Sequence, residues 1–177
     1  MPNAEKSLPE LSAACIALQQ SKETLLLSTL SELQNPEISY APYLRFSDGA
    51  FYIFISDLAA HTKNLRTNPR AAVMFISDEA QTTNLFARER LIFQCSVAVV
   101  DPDTESYQEI LDAMESRFGN IMAMLQSLKD FHLFRLQPNS GSYVVGFGKA
   151  YEVDPISGQL EHISEEKLKS KKNDKDG

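Results

Sequence analysis

Four polar and basic residues lie close together between two apolar stretches, in the run A-A-H-T-K-N-L-R. They are His61, Thr62, Lys63 and Arg66, and Asn68-Pro69 follows them. This order predicts a short helix that connects two strands. Helix starts offer unpaired N–H donors, and the basic side chains add positive charge. The segment therefore favours binding of an anionic group, and a solvated surface helix is the alternative interpretation.

Two arginines precede a long apolar stretch and form a second candidate site. Arg88 and Arg90 flank Glu89, and paired arginines can clamp a carboxylate or a phosphate. A solvated strand entry, in which Glu89 balances both charges, is the alternative.

The three histidines show no catalytic arrangement by spacing alone. His61 belongs to the basic segment. His132 alternates with Phe131 and Leu133, so it is expected to face solvent or a partner. His162 lies near the chain end and would ligate a metal only if that end folds over a pocket. These residues alone do not indicate a particular reaction.

Other sequence features narrow the class of protein. Two distant cysteines make a structural zinc site unlikely, and neither Gly-rich nucleotide loops nor a G-x-S-x-G elbow occurs. A net charge of −7 argues against general nucleic-acid binding. No apolar run approaches the roughly 20 residues that cross a bilayer, and the N-terminus lacks signal-peptide order, so a cytoplasmic location is expected. We expect one domain over residues 1–163 and a flexible, polar, Lys-rich tail over 164–177.

Periodicity in the first half predicts one helix and then mainly strands. Leu8–Gln20 carries an apolar stripe at helical spacing. Three strand candidates follow and are expected to form an antiparallel meander: Glu23–Leu30, Glu37–Leu44 and Ala50–Ile55. Pro42 cannot donate a backbone hydrogen bond, so its strand should lie at a sheet edge. Residues 71–76 and 88–100 are further strand candidates.

The second half predicts two helices and then two strands. Asp101-Pro102 resembles a helix start, and Gly119 a helix end. A short helix should bury Ile121, Met124, Leu125 and Leu128. Phe131–Leu136 and Tyr143–Val153 are strand candidates, separated by a turn over Pro138–Ser142. With about seven strands and no β-α-β alternation, the pattern favours an α+β fold, a small antiparallel barrel with peripheral helices.

Several segments, taken in order, resemble a known family. They are I-S-Y-A-P-Y (38–43), the stretch 55–70, L-F-A-R-E-R-L-I-F (85–93), R-F-G (117–119), D-F-H-L-F-R-L-Q-P (130–138) and V-G-F-G-K-A-Y (145–151). This combination resembles the haem-utilisation proteins of the HutZ/HugZ type, a branch of the pyridoxamine-phosphate-oxidase-like split-barrel superfamily. The resemblance covers residues 8–163.

The resemblance implies a homodimer of split β-barrels that binds haem at the subunit interface. Its reaction is oxidative opening of the porphyrin with release of iron, and it needs dioxygen and an electron donor, with haem as both substrate and cofactor. By position, Asp130 matches the acidic residue that hydrogen-bonds the haem-ligating histidine. Arg90 matches an arginine of the cleft, with a propionate as its partner, and His61 matches a histidine near the site.

One departure concerns the iron ligand. The family's histidine follows a glycine in the C-terminal tail, where this chain has Glu166-Lys167. Lysine is protonated near neutral pH and is a poor ligand. His162 is then the candidate iron ligand; otherwise haem is held differently or its degradation has been lost.

This departure keeps two alternatives open. In flavin-binding split barrels the equivalent helix holds the FMN phosphate. The chain would then be an FMN-dependent oxidoreductase in which Thr62, Lys63 and Arg66 bind phosphate and Arg90 assists. A non-catalytic haem carrier or storage dimer is the third hypothesis.

Overall fold

The structure is a computed structural model that describes residues 6–146 and 149–163. The chain divides into two compact units. The first takes its described residues from 6–21, 75–92, 140–146 and 149–163, and the second consists of residues 22–74 and 93–139. The tail predicted over 164–177 lies outside the described residues.

Four α-helices and nine strands are assigned within the described part of the chain. The helices are α1 (Leu8–Gln20), α2 (Ala60–Thr67), α3 (Glu105–Phe118) and α4 (Ile121–Gln126). The strands are β1 (Thr24–Leu30), β2 (Pro36–Pro42), β3 (Leu44–Arg45), β4 (Phe51–Ser56), β5 (Arg70–Ile76), β6 (Arg90–Val99), β7 (Phe131–Gly146), β8 (Lys149–Val153) and β9 (Leu160–His162).

The strands with residues in the second unit follow the order β2-β1-β5-β6-β7-β4-β3. β1 is antiparallel to β2 and to β5, and β4 is antiparallel to β3 and to β7. The two ends of this order, β2 and β3, are separated in sequence only by Tyr43, and β2 contacts β4. The sheet therefore curls back on itself, which confirms the predicted α+β antiparallel half-barrel.

Tyr43 also explains how the predicted meander forms. The middle stretch pairs with β1 through β2, and with β4 through β3. Pro42 ends β2, which is the edge strand of the order, as predicted. The buried Tyr43 thus divides one predicted strand into two with different partners.

β4 is buried on both faces because its sequence is continuously apolar, F-Y-I-F-I. Tyr52 and Phe54 pack against α3, α4 and β7 in a core cluster that includes Ile110, Leu111 and Leu133. This burial holds the end of β4 in place, and α2 follows directly after it.

The predicted start of α3 is wrong. Thr104 is the N-cap, and the helix begins at Glu105. The Asp101 carboxylate accepts a hydrogen bond from the amide of Asp103 (2.9 Å), and its carbonyl accepts from the amide of Thr104 (3.1 Å). Asp101 therefore closes a turn ahead of the helix.

The predicted turn over Pro138–Ser142 is also wrong, because β7 continues through it. β7 pairs with β4 over Phe131–Leu136 and with β8 from Gly141 onward. Pro138, which has no N–H to donate, lies between these two paired stretches. The single strand predicted over Tyr143–Val153 is instead the end of β7 paired antiparallel with β8.

The apolar face predicted for the second short helix is wrong as well. α4 buries Met122, whereas Ile121, Met124 and Leu128 are exposed. A helix of six residues is too short for its spacing to define the buried face. The other predicted helix limits hold: α1 has the expected bounds, and Gly119 ends α3 with φ of 77°.

Candidate functional site

Ser56 and Thr62 fix the start of α2 at the end of β4. The Thr62 hydroxyl donates to the Ser56 carbonyl at 2.6 Å, and Thr62 is fully buried. The Ser56 hydroxyl accepts from the amide of Leu58 at 3.0 Å and donates to the carboxylate of Asp130. Thr62, which the sequence suggested as a phosphate ligand, thus fastens the helix to the strand.

Asp57 links the same turn to β7. Its carboxylate lies 2.8 Å from Nε2 of His132 and 3.2 Å from the guanidinium of Arg66. Its amide donates to the Asp130 carbonyl at 2.8 Å. The hydrogen bond from His132, helped by the charges of His132 and Arg66, lowers the pKa of Asp57. Arg66 also lies 5.8 Å from the ring centre of Phe134, within cation–π distance.

Asn64 ties the buried face of α2 to β1 and β2. Its amide nitrogen donates to the Thr29 hydroxyl at 3.0 Å and to the Glu37 carboxylate at 2.8 Å. Asn64 and Thr29 are both buried, so these bonds are shielded from water. They fix the rotation of α2, and with it the direction in which the polar residues of the helix point.

His61 differs from the other polar residues of α2 because one of its nitrogens is unsatisfied. Nδ1 lies 3.0 Å from the hydroxyl of Ser39 on β2. Nε2 is buried and has no hydrogen-bond partner among the described residues. Burial lowers the pKa of His61, which keeps the imidazole neutral near pH 7. A neutral imidazole with a free nitrogen can ligate a metal or exchange a proton.

Lys63 and Arg66 both have acidic partners. Lys63 lies 2.8 Å from the carboxylate of Glu32, and this hydrogen bond raises the pKa of Lys63. The side chains of Lys63 and Glu32 are both well exposed. Together with the pairing of Arg66 to Asp57, this neutralises the positive charge that the sequence placed on α2.

Arg88 and Arg90 lie in the first unit and do not form a matched clamp. Arg88 donates to the Ser77 carbonyl and pairs with Glu79 at 2.8 Å. Arg90 is half-buried and donates to the Arg88 carbonyl at 3.1 Å. Among the described residues, no ion pair joins Arg90 to a carboxylate. Arg90 thus has no carboxylate partner among the described residues, whereas Arg88 is paired with Glu79.

Glu89 accepts a hydrogen bond from the buried hydroxyl of Tyr143. Burial and the Glu89 carboxylate raise the pKa of Tyr143 above its usual range. Glu89 therefore anchors β7. It does not balance the two arginines, which was the alternative interpretation of this segment.

His162 lies on β9 in the first unit, and its ring is exposed. It contacts Tyr151 edge to face, with ring centres 5.3 Å apart. Glu166 and Lys167 lie outside the described residues. No group of three or more His, Cys, Asp or Glu side chains within the described ranges is arranged to hold a metal ion.

Sequence reasoning missed three contributors: Ser39, Asn64 and the pairing of Asp57 with His132. Asn64 could have been found, because an Asn between Lys63 and Leu65 falls on the inward face of a helix that ends at Asn68-Pro69. The contacts of Ser39 and His132 join positions 22 and 75 residues apart, and no local pattern signals them.

The curled antiparallel sheet, with a short helix after its fourth strand, defines a split barrel. The sequence matches the pyridoxamine 5'-phosphate oxidase family over residues 11–145, and the chain belongs to that family. It is 42% identical over 135 residues to the heme oxygenase HutZ of Vibrio cholerae, covering 76% of each chain. The resemblance drawn from the sequence motifs is thereby confirmed.

Two solved structures have the same fold. The crystal structure of HutZ, described as a heme storage protein of Vibrio cholerae, superposes with a TM-score of 0.67 at 38% identity and covers 72% of this chain and 89% of its own. Campylobacter jejuni ChuZ superposes with a TM-score of 0.78 at 26% identity, covering 92% of this chain and 65% of that one. Within the described residues, no helix is long and apolar enough to span a membrane.

Proposed function

We propose that this protein binds haem as a homodimer and opens the porphyrin ring oxidatively, releasing iron. The relationship to HutZ carries the proposal, since that relative is described both as a heme oxygenase and as a heme storage protein. Haem is common to both descriptions.

The described residues offer the kinds of group that bind haem. A haem site needs an imidazole nitrogen for iron, a cation for the propionates and apolar surface for the ring. His162 offers an exposed imidazole, and Arg90 a guanidinium without a carboxylate partner among the described residues. Leu58, at the turn into α2, is 92% exposed and offers apolar surface.

Each residue has a distinct role in this proposal. By the family resemblance, His162 would supply the iron ligand, and Asp130 would be the carboxylate that orients a ligating imidazole. Asp130 already accepts hydrogen bonds, because the Ser56 hydroxyl donates to it. Arg90 binds a propionate. Bound haem supplies the iron that reacts with dioxygen, and electrons come from a donor outside this chain.

The homodimer is supported by an apolar surface at the sheet edge. Ile38 and Tyr40 on the edge strand β2 are 82% and 65% exposed, and Leu26 lies opposite Tyr40 on the same face. Exposed apolar side chains on an edge strand are typical of an interaction surface. Light scattering should therefore give the mass of two chains, and Tyr40→Glu should give one. A parent protein with the mass of one chain would exclude the shared site.

FMN binding is the second candidate, because the family is named for a flavin-dependent oxidase. The contacts of α2 make it the weaker one. Thr62 is buried against Ser56, while Lys63 and Arg66 are each paired with a carboxylate. An FMN phosphate would have to displace Glu32 and Asp57 from these cations.

An absorption spectrum of the purified protein, before and after one equivalent of hemin, tests the proposal. A sharp, shifted Soret band is expected with hemin. His162→Ala should shift or weaken that band, whereas Glu109→Ala, a change at an exposed residue of α3, should leave it unchanged. Parent-like spectra from both variants would refute His162 as the ligand. Flavin absorption bands without any response to hemin would instead identify FMN as the cofactor.

Ascorbate and oxygen then separate degradation from storage. Loss of the Soret band with release of iron is the result expected of a haem-degrading enzyme. In that assay Asp130→Asn should slow the loss more than it weakens hemin binding, because it acts through the ligating imidazole. A stable Soret band in the parent would leave a storage or carrier protein.

A further inference from the structure

A cavity of about 390 Å³ lies in the second unit, and none of the residues given a haem role lines it, although Lys129 and Phe131 in its lining flank Asp130. It lies between α3, α4 and the strands β4 and β7, and Phe54, Leu111, Phe131 and Leu133 form apolar walls. Its volume falls in the range of small-molecule pockets, which combine apolar walls with a few polar groups.

The polar groups of the cavity favour a negative ligand. Lys129, Gln126 and Tyr107 line it, and none of the described lining residues is an aspartate or glutamate. The amide nitrogen of Gln126 is buried and has no hydrogen-bond partner among the described residues. Buried amides are nearly always hydrogen-bonded, so this donor gains a partner when a ligand, together with a rotation of the Gln126 side chain, brings an acceptor to it.

We propose that this cavity binds a small organic anion with an aromatic body, such as an aryl carboxylate or sulfonate. The ring packs between the walls, Lys129 pairs with the anionic group, and the Gln126 amide donates to it. Charge-assisted bonds of this kind are the strongest polar contacts in such a pocket.

A ligand in the cavity would affect the position of α2. Phe131 and His132 line the cavity, and His132 is hydrogen-bonded to Asp57 at the turn into the helix. The carbonyl of Asp130 is bonded to the amide of Asp57 in the same place. A ligand that shifts the start of β7 therefore also shifts the residues that position α2.

Calorimetric titration of the full chain with 8-anilinonaphthalene-1-sulfonate tests the site. One equivalent should bind, and N-phenyl-1-naphthylamine, which lacks the sulfonate, should bind at least tenfold more weakly. Lys129→Gln should weaken sulfonate binding about tenfold and remove most of its salt dependence. Lys6→Gln, the same charge change at an exposed residue, should have no effect.

Gln126→Leu gives a second and independent test. It should weaken sulfonate binding about tenfold without lowering the urea midpoint of the free protein, because it removes an unpaired buried donor. Gln20→Leu on α1 is the matched control. Equal binding of the neutral analogue, or parent-like affinity in both cavity variants, would overturn the proposal. Displacement of the sulfonate by hemin would overturn it as well, by placing the probe in the haem site.

Discussion

Asn64→Ala should detach α2 from β1 and β2 and destabilise the fold. The change removes two hydrogen bonds from one amide, to the Thr29 hydroxyl at 3.0 Å and to the Glu37 carboxylate at 2.8 Å. A neutral hydrogen bond contributes about 1 kcal/mol, and one to a charged group about 1.5 to 3 kcal/mol. Glu37 is only half-buried and regains water, so we expect a total loss of about 2 to 3 kcal/mol.

Urea unfolding measures this loss. For a chain of this size the midpoint should fall by about 1 M, at unchanged slope. Asn120→Ala is the matched control, because the Asn120 side chain is exposed and makes no capping bond. A double-mutant cycle with Thr29→Val should give a coupling free energy of about 1 kcal/mol between Asn64 and Thr29. A loss below about 0.5 kcal/mol in Asn64→Ala, no larger than a typical surface change, would refute the reasoning.

Asn64→Asp separates the charge effect from loss of the donor. At pH 7 this change removes the donor and sets a carboxylate against that of Glu37, so it should destabilise more than Asn64→Ala. Toward pH 5 the shared site can take up a proton, which restores a donor between the two groups. The stability of Asn64→Asp relative to Asn64→Ala should therefore rise as the pH falls, and a constant difference would contradict the assigned contact.

Three further predictions concern the pH dependence and the core. Burial lowers the pKa of His61, so the unfolded chain takes up a proton at higher pH than the folded chain. The stability that the neutral His61 contributes is complete above about pH 6.5 and is lost as the pH falls. His61→Gln should therefore make the urea midpoint depend less on pH between pH 7 and 5. Gly119→Ala should cost about 1 to 3 kcal/mol in urea unfolding, because φ of +77° with ψ of −162° is a backbone conformation that essentially only glycine adopts, even though no atom beyond the adjoining residues lies within 4 Å of the added Cβ. Leu133→Ala should cost about 2 to 5 kcal/mol in the same assay, since Leu133 is fully buried in the core cluster. A parent-like pH profile in His61→Gln would contradict the burial of its imidazole. A parent-like midpoint in Gly119→Ala or Leu133→Ala would contradict the backbone strain or the core packing, respectively.

Elements with a local cause were predictable from the sequence. The stripe of Leu11, Cys15 and Leu18 predicted α1 with its bounds, and all three residues are buried. The apolar run at Phe51–Ile55 predicted a strand, and the structure buries it on both faces. In each case the residues that form the element also determine where it begins and ends.

Elements that depend on distant partners were not predictable in this way. β7 passes through Pro138 because it exchanges β4 for β8 as a partner. β8 follows β7 directly in sequence, but β4 lies far earlier in the chain, before α2. The prediction that Asp101 caps α3 was wrong for a different reason. Its carboxylate accepts from the amide two residues ahead, a bond that serves a turn as well as a helix cap, so local chemistry does not distinguish the two.

The candidate site shows the same division. The sequence located α2 and its polar residues, since a polar helix between two apolar strands is a local pattern. It did not reveal that Lys63 pairs with Glu32 across 31 positions, or that His61 contacts Ser39. A charge count along the helix therefore overstated the attraction of this segment for an anion.

The pairing of charges on α2 bears on which ligand the fold serves. A phosphate gains most where cations lack partners, but here Lys63 and Arg66 would have to exchange one anion for another. Haem makes different demands, because iron binds neutral imidazole and its propionates need few cations. A helix whose cations are each paired with a carboxylate therefore suits a flavin phosphate poorly, whereas the haem proposal takes its iron ligand and its propionate partner, His162 and Arg90, from outside that helix.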